Sequence, residues 1–159
     1  PDSIILDYPE GYVLYNLSVD MASTYSNSIY PGNYIDIYLK VQNAQSADGT
    51  VADDRIMVGR LLSNVKVIAV YDSSGNNVFS NLDEKGTPSQ IIFAVPEEYH
   101  ILLRKAEYLR AYESEIIPVP TAESLEDEPG DVTLSSEDLR NFINNVTAMT
   151  EEDLSYTQQ

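Results

Sequence analysis

Between Tyr34 and Val41 the apolar residues Ile35, Ile37, Leu39 and Val41 alternate with Tyr34, Asp36, Tyr38 and Lys40. A period of two puts the aliphatic set on one face of a strand and the polar or amphipathic set on the other, so the segment predicts a half-buried strand. Pro31-Gly32 opens it as a turn. Val13, Tyr15, Leu17 and Val19 repeat the pattern over 12–20, behind the turn signal Pro9-Glu10-Gly11. The run Leu61–Val70 predicts a strand over 65–71, with 56–62 a short strand entering it. Asp72-Ser73-Ser74-Gly75-Asn76-Asn77 closes that strand as a turn, after which Val78-Phe79 restarts it. Ser89–Val95 completes the set. The Ser/Asn/Tyr-rich stretch 21–30 predicts a loop, and the polar segment Gln42–Asp54, containing Asp48-Gly49, a hairpin or extended loop.

Two segments carry helical periodicity instead. Tyr99, Leu102, Leu103, Ala106 and Leu109 form an apolar stripe over about 96–111. Pro96 suits the first helical position, Glu97 and Glu98 suit the positive end of the helix dipole, and Arg104, Lys105 and Arg110 suit the later turns. Beyond Pro120 the chain changes character. Residues 121–134 are acidic and contain Pro129-Gly130, which predicts a linker. Ser135-Ser136-Glu137-Asp138 then supplies an N-cap with acids in the first turn. Leu139, Phe142, Ile143 and Val146 follow at i, i+3, i+4 and i+7, one apolar face of a short helix in a tail spanning 135–159. That face needs cover, either from the chain's own domain or from a partner in the helix-in-groove manner.

Three of these segments occur in a telling order. Pro31-Gly32-Asn33-Tyr34-Ile35-Asp36-Ile37 is followed by Leu61-Leu62-Ser63-Asn64-Val65-Lys66-Val67-Ile68-Ala69-Val70, then by Ser89–Val95 running into Pro96-Glu97-Glu98-Tyr99. The series resembles the C-terminal, RcpC-like domain of the Flp (Tad-type) pilus assembly proteins of the CpaB/RcpC family, over roughly residues 10–119. In that family the corresponding patterns read PGD-x-VDV, LL-x-NV-x-VLAV and TL-x-V-x-PE-x-A-x-x-L, in the same order at similar spacing. The resemblance also implies a terminal strand over Ser114–Val119, where Pro118, having no N–H to donate, requires a sheet edge or a strand end. This chain departs at Asn33, where the family usually has Asp, and at Val95, where it often has Thr before the Pro-Glu pair. The resemblance implies an extracytoplasmic protein anchored to the cytoplasmic membrane by an N-terminal segment and a SAF-type domain that would precede Pro1. It also implies work by protein contact within a pilus or related secretion machine. The partners would be the membrane platform, the pilin or, in a Gram-negative host, the secretin.

Composition narrows the alternatives. The 159 residues suffice for one domain of ordinary size, 1–120 here, with the linker and tail appended. With no cysteine, disulfides and thiolate metal sites are excluded. The net charge of −17 opposes nucleic acid and anionic membrane surfaces alike. Residues 121–159 hold ten acids and one base, so −9 of the −17 falls in the last quarter. Tyrosine is over-used, twelve against three Phe and no Trp, with seven of the twelve before residue 39. Tyrosines suit half-exposed sheet faces, but also partner contacts, for which Tyr12, Tyr30 and Tyr34 are the candidates. If Tyr8, Tyr12, Tyr25, Tyr30 or Tyr34 present bare rings, a cell-wall carbohydrate becomes an alternative ligand.

Candidate chemistry is sparse. The loop opened by Asp72 superficially resembles a calcium loop, but its sixth position is Asn77 and its twelfth Asp83, where an EF-hand takes Gly and Glu. His100, the only histidine, lacks companions for a metal site and reads as a surface or interface residue. Asp20 and Asp36 make an acid pair only by chance proximity in a chain this acidic. Asp36 has a better structural role, accepting backbone N–H groups to fix the Pro31-Gly32 turn against its strand. The expectation is therefore a β-rich α+β domain, a compact and mainly antiparallel sheet or small barrel with one packed helix and an acidic helical tail. It is expected to be non-catalytic, with no cofactor, and able to form oligomers.

Overall fold

The computed structural model describes residues 8–44, 56–80, 86–121 and 130–147. Its elements run β1 (Tyr12–Ser18), β2 (Tyr34–Asn43), β3 (Ile56–Tyr71), β4 (Gln90–Pro96), α1 (Glu97–Ala106), β5 (Tyr112–Pro120), β6 (Thr133–Leu134) and α2 (Glu137–Val146). Five strands form one antiparallel sheet in the order β1-β4-β3-β2-β5, and β6 pairs with β3. The fold is thus β-rich α+β, an open sheet ending in β1 and β5. Pro118 lies in β5, the edge strand, opposite Ile37.

The alternation in β2 is realised almost without loss: Ile35, Ile37, Leu39 and Val41 are all at most 2% exposed. Each such side chain contributes about 1.5–3 kcal/mol on burial. In β4, Ile91, Phe93 and Val95 on one face and Ile92 and Ala94 on the other are all buried, as the continuous apolar run requires. Tyr15 stacks on Phe93 across the β1–β4 pair, with ring centroids 5.2 Å apart.

β3 is one strand of 16 residues, not a short strand entering a longer one. It bends through bulges. Ile35 pairs with Val65 and Ile37 with Leu62, so Asp36 faces both Ser63 and Asn64, and Asn64 takes a left-handed φ of 66°. The register slips again at Leu61, which lets the consecutive Leu61 and Leu62 both reach the core. A third slip, against β4 at Ile68, lets Val67 and Val70 both reach the core. The turn at 72–77 forms as expected, with the Asp72 carboxylate accepting from the backbone N–H groups of Ser74 and Asn76. Val78 donates back to the Val70 carbonyl.

The helix expected over 96–111 is shorter. Pro96 is the last residue of β4 and flanks the helix with φ −53° and ψ 148°, one position earlier than anticipated. At the other end, Glu107 and Tyr108 donate to the carbonyls of Arg104 and Lys105, tightening the last turn. Arg110 N–H is drawn to the Val146 carbonyl, and Ala111 adopts a φ of 65° that reverses the chain into β5. The apolar stripe still serves its purpose, since Leu102, Leu103, Ala106 and Leu109 are all buried.

The acidic linker expected over 121–134 lies outside the described residues at 122–129, and its end is not a linker. Val132 is buried and donates its N–H to the Tyr12 hydroxyl, Thr133–Leu134 pair with Ser63 and Leu62, and Ser135 N–H bonds to the Leu61 carbonyl. The slipped middle of β3 offers these positions, and the tail takes them. α2 follows with Ser136 as N-cap, its hydroxyl accepting from Leu139 N–H. Leu139 and Ile143 point into the common core, and Leu139 lies so close to Gly59 that a Cβ there would stand 3.0 Å from its Cδ1.

Candidate functional site

The Pro31-Gly32 turn is tied to the sheet by backbone bonds: Gly32 N–H to the Val67 carbonyl and Val67 N–H to the Asn33 carbonyl. Gly32 has a φ of 89°, a conformation other residues resist. Asp36 does not hold this turn. Its Oδ1 accepts from Asn64 N–H at 3.4 Å and its Oδ2 lies 3.6 Å from Arg60 Nη1, so the carboxylate pins the β3 bulge instead. It is 9% exposed, and both of its oxygens have structural partners. Asp20 is likewise occupied locally: Ser23 N–H and hydroxyl contacts hold its carboxyl below the ordinary range. The imagined acid pair therefore consists of two separately employed carboxylates.

The candidate contact residues divide by burial. Leu139 and Ile143 lie inside the core, with Phe142 and Val146 packed against it, so the apolar face of α2 is spent on its own domain. Phe142 meets Tyr112 edge-on at 5.2 Å. Tyr12 and Tyr34 are half-buried, and Tyr12 anchors Val132. Tyr30 is exposed, its ring 4.8 Å from Phe79. With Met21 and Tyr25 it makes the loop 20–30 an apolar-rich surface.

Sequence patterning missed the most unusual surface. Along β3, β2 occupies one edge, while β4 takes the other from Lys66 and β6 takes Leu62–Ser63. Among the described residues no strand pairs with that second edge from Ile56 to Arg60. Ile56, Met57 and Val58 are exposed at 56%, 38% and 58%. Edge strands are usually guarded by charge or proline. β5 has such guards in Glu113, Glu115, Pro118 and Pro120; β3 has none before Arg60. The signal available in the sequence was the run Ile56-Met57-Val58 itself, which reads as core until the register is known. The outer face beside it carries Tyr38, Lys40 and Gln42 of β2 and Glu113, Glu115 and Ile117 of β5, with Gln42 donating to Glu113 at 3.2 Å. A depression there is lined by Lys40, Gln42, Glu113, Ser114 and Glu115, and the Ser114 hydroxyl donates to the Ala106 carbonyl.

One polar cluster lies within the fold. Tyr15, 1% exposed, donates its hydroxyl to Glu107 at 2.5 Å, and the Arg104 guanidinium lies 4.3 Å from its ring centre. Burial, followed by the Glu107 carboxylate, pushes the phenol well above its ordinary value. Arg104 also donates to His100 and to Asn16, and it pairs with Glu107 at 3.6 Å. The described residues hold no group of three metal-ligating side chains, and none of their helices is long and apolar enough to cross a membrane. No family model, no curated protein and no solved structure matches the chain.

Proposed function

We propose that this chain is a non-catalytic, extracytoplasmic assembly component of a Flp-type pilus or related secretion machine, acting through protein–protein contacts. The observation that carries the contact mode is the β3 edge Ile56–Arg60, which pairs with no further strand among the described residues and carries the exposed side chains of Ile56, Met57 and Val58. Such an edge accepts an extended segment of a partner by strand addition. The machine itself is proposed from the resemblance, whose three motifs correspond to the turn into β2, the middle of β3 and the β4–α1 junction. In that setting the partner strand belongs to the membrane platform, the pilin or a secretin, and a partner of neutral or basic character suits a chain of charge −17.

The test is deletion of the gene in its native cell, with surface pili scored by electron microscopy and pilin by fractionation. Pilin synthesised but not assembled is the expected outcome. Complementation with an Ile56→Lys/Val58→Lys chain of unchanged melting temperature should then fail. Normal piliation after deletion would end this reading.

A second reading, a cell-wall carbohydrate module, is favoured by Met21, Tyr25 and Tyr30 lying exposed on one loop. Exposed aromatic rings can stack on sugar faces. Retention on wall preparations, lost in a folded Tyr25→Ala/Tyr30→Ala chain, would support it; no retention of the wild type would remove it.

A further inference from the structure

His100 and Arg104 of α1 and Glu107 at its C-cap are spaced i, i+4 and i+7, and all three converge on Tyr15 of β1. We infer that they form an acid-released latch, holding α1 against β1 while His100 is neutral and letting go when His100 takes up a proton. The geometry dictates the protonation state. Arg104 Nε–H donates to His100 Nε2 at 3.3 Å, so Nε2 must carry a lone pair and the proton of the neutral ring must sit on Nδ1. That Nδ1 is buried, and the Leu14 backbone beside the ring favours the charged form.

Protonation makes the closed state worse in two ways. The acceptor at Nε2 becomes a second donor facing Arg104 Nε–H, and a second positive charge appears at hydrogen-bond distance from the guanidinium. Arg104 is the hub: it bridges His100, Asn16 Oδ1 at 3.2 Å, Glu107 and the face of Tyr15. Its displacement removes the contacts that Arg104 makes from α1 to Asn16 and Tyr15 of β1. The charged and titratable groups around His100 are Arg104, Glu107 and Glu97 from α1 and Tyr15 from β1, with the Leu14 backbone beside the ring. Glu97 and Glu107 favour the imidazolium, as does the Leu14 backbone. Burial and then Arg104 oppose it and prevail, holding the imidazole below its ordinary value of 6.5. Because the folded value is depressed, the contribution of the latch is complete above pH 6.5 and is lost as the pH falls from there toward the folded value.

His100 is the only histidine, so its proton NMR signal reads the latch without assignment ambiguity. In the full chain the expected midpoint lies below 6.5, moving upward in Arg104→Gln. Hydrogen exchange should show the amides of α1 opening more readily as the pH drops below 6.5. After correction for intrinsic exchange, the rise should approach tenfold per pH unit, the limit for one proton. In His100→Gln, which keeps an acceptor for Arg104 but does not titrate, this rise should vanish. A wild-type midpoint at or above 6.5, or the same acid-dependent opening in His100→Gln, would overturn the latch.

Discussion

Asp36 shows how far a single residue can be read without its neighbours. Its position after a Pro-Gly turn predicts a carboxylate accepting a backbone N–H. The donor is Asn64, 28 positions away, which faces Asp36 only because β3 carries an extra residue there. Replacing Asp36 with Ala should cost about 1–3 kcal/mol by leaving buried polar groups unpaired, measured by denaturant unfolding with an unchanged m-value. Gly59 gave no local signal at all, having neither a turn nor a positive φ around it. A methyl group there meets Leu139 Cδ1 at 3.0 Å, and Gly59→Ala should cost about 1 kcal/mol or more. In a Leu139→Ala background that penalty should disappear, so the double-mutant cycle reads the α2–β3 contact directly.

At the scale of elements, β2 and the stripe of α1 were legible because their burial follows one strict period. β3 was not, since its bulges shift the inward face three times in 16 residues and mix the two faces of the pattern. The end of α1 was set from outside, by Arg110 bonding to the Val146 carbonyl. α2 was legible as a helix capped within Ser135-Ser136, but its docking partner was not. Because the chain's own sheet supplies the cover, Ile143→Ser should lower stability by about 3 kcal/mol or more. The half-exposed Phe142→Ser should cost less, and both should lower the melting temperature of the isolated chain. Ser136→Ala should cost about 1 kcal/mol through the lost cap.

Across the whole molecule, a charge of −17 repels itself in the compact state. Added salt should therefore raise the melting temperature, most steeply below about 0.15 M, where the screening length still exceeds ~8 Å. A melting temperature independent of salt would mean that the charges lie too far apart to repel one another appreciably. The same charge bears on the exposed Ile56–Val58 edge, because long-range repulsion between like chains discourages self-pairing of bare edges.

The sequence by itself determined the β-rich class, the inward face of β2, the existence of both helices and the turn at 72–77. Each follows from local periodicity, capping and turn chemistry, which act over a few residues. Only the tertiary structure decided that residues 132–134 join the sheet, that α2 packs on Gly59, that Asp36 serves a distant bulge and that Ile56–Val58 are exposed on an edge of β3 that no described strand pairs. It also brought His100, Arg104 and Glu107 onto Tyr15. These are pairings between segments far apart in the chain, set by strand order and register, and no local pattern encodes which edge remains free or which side chains meet across it.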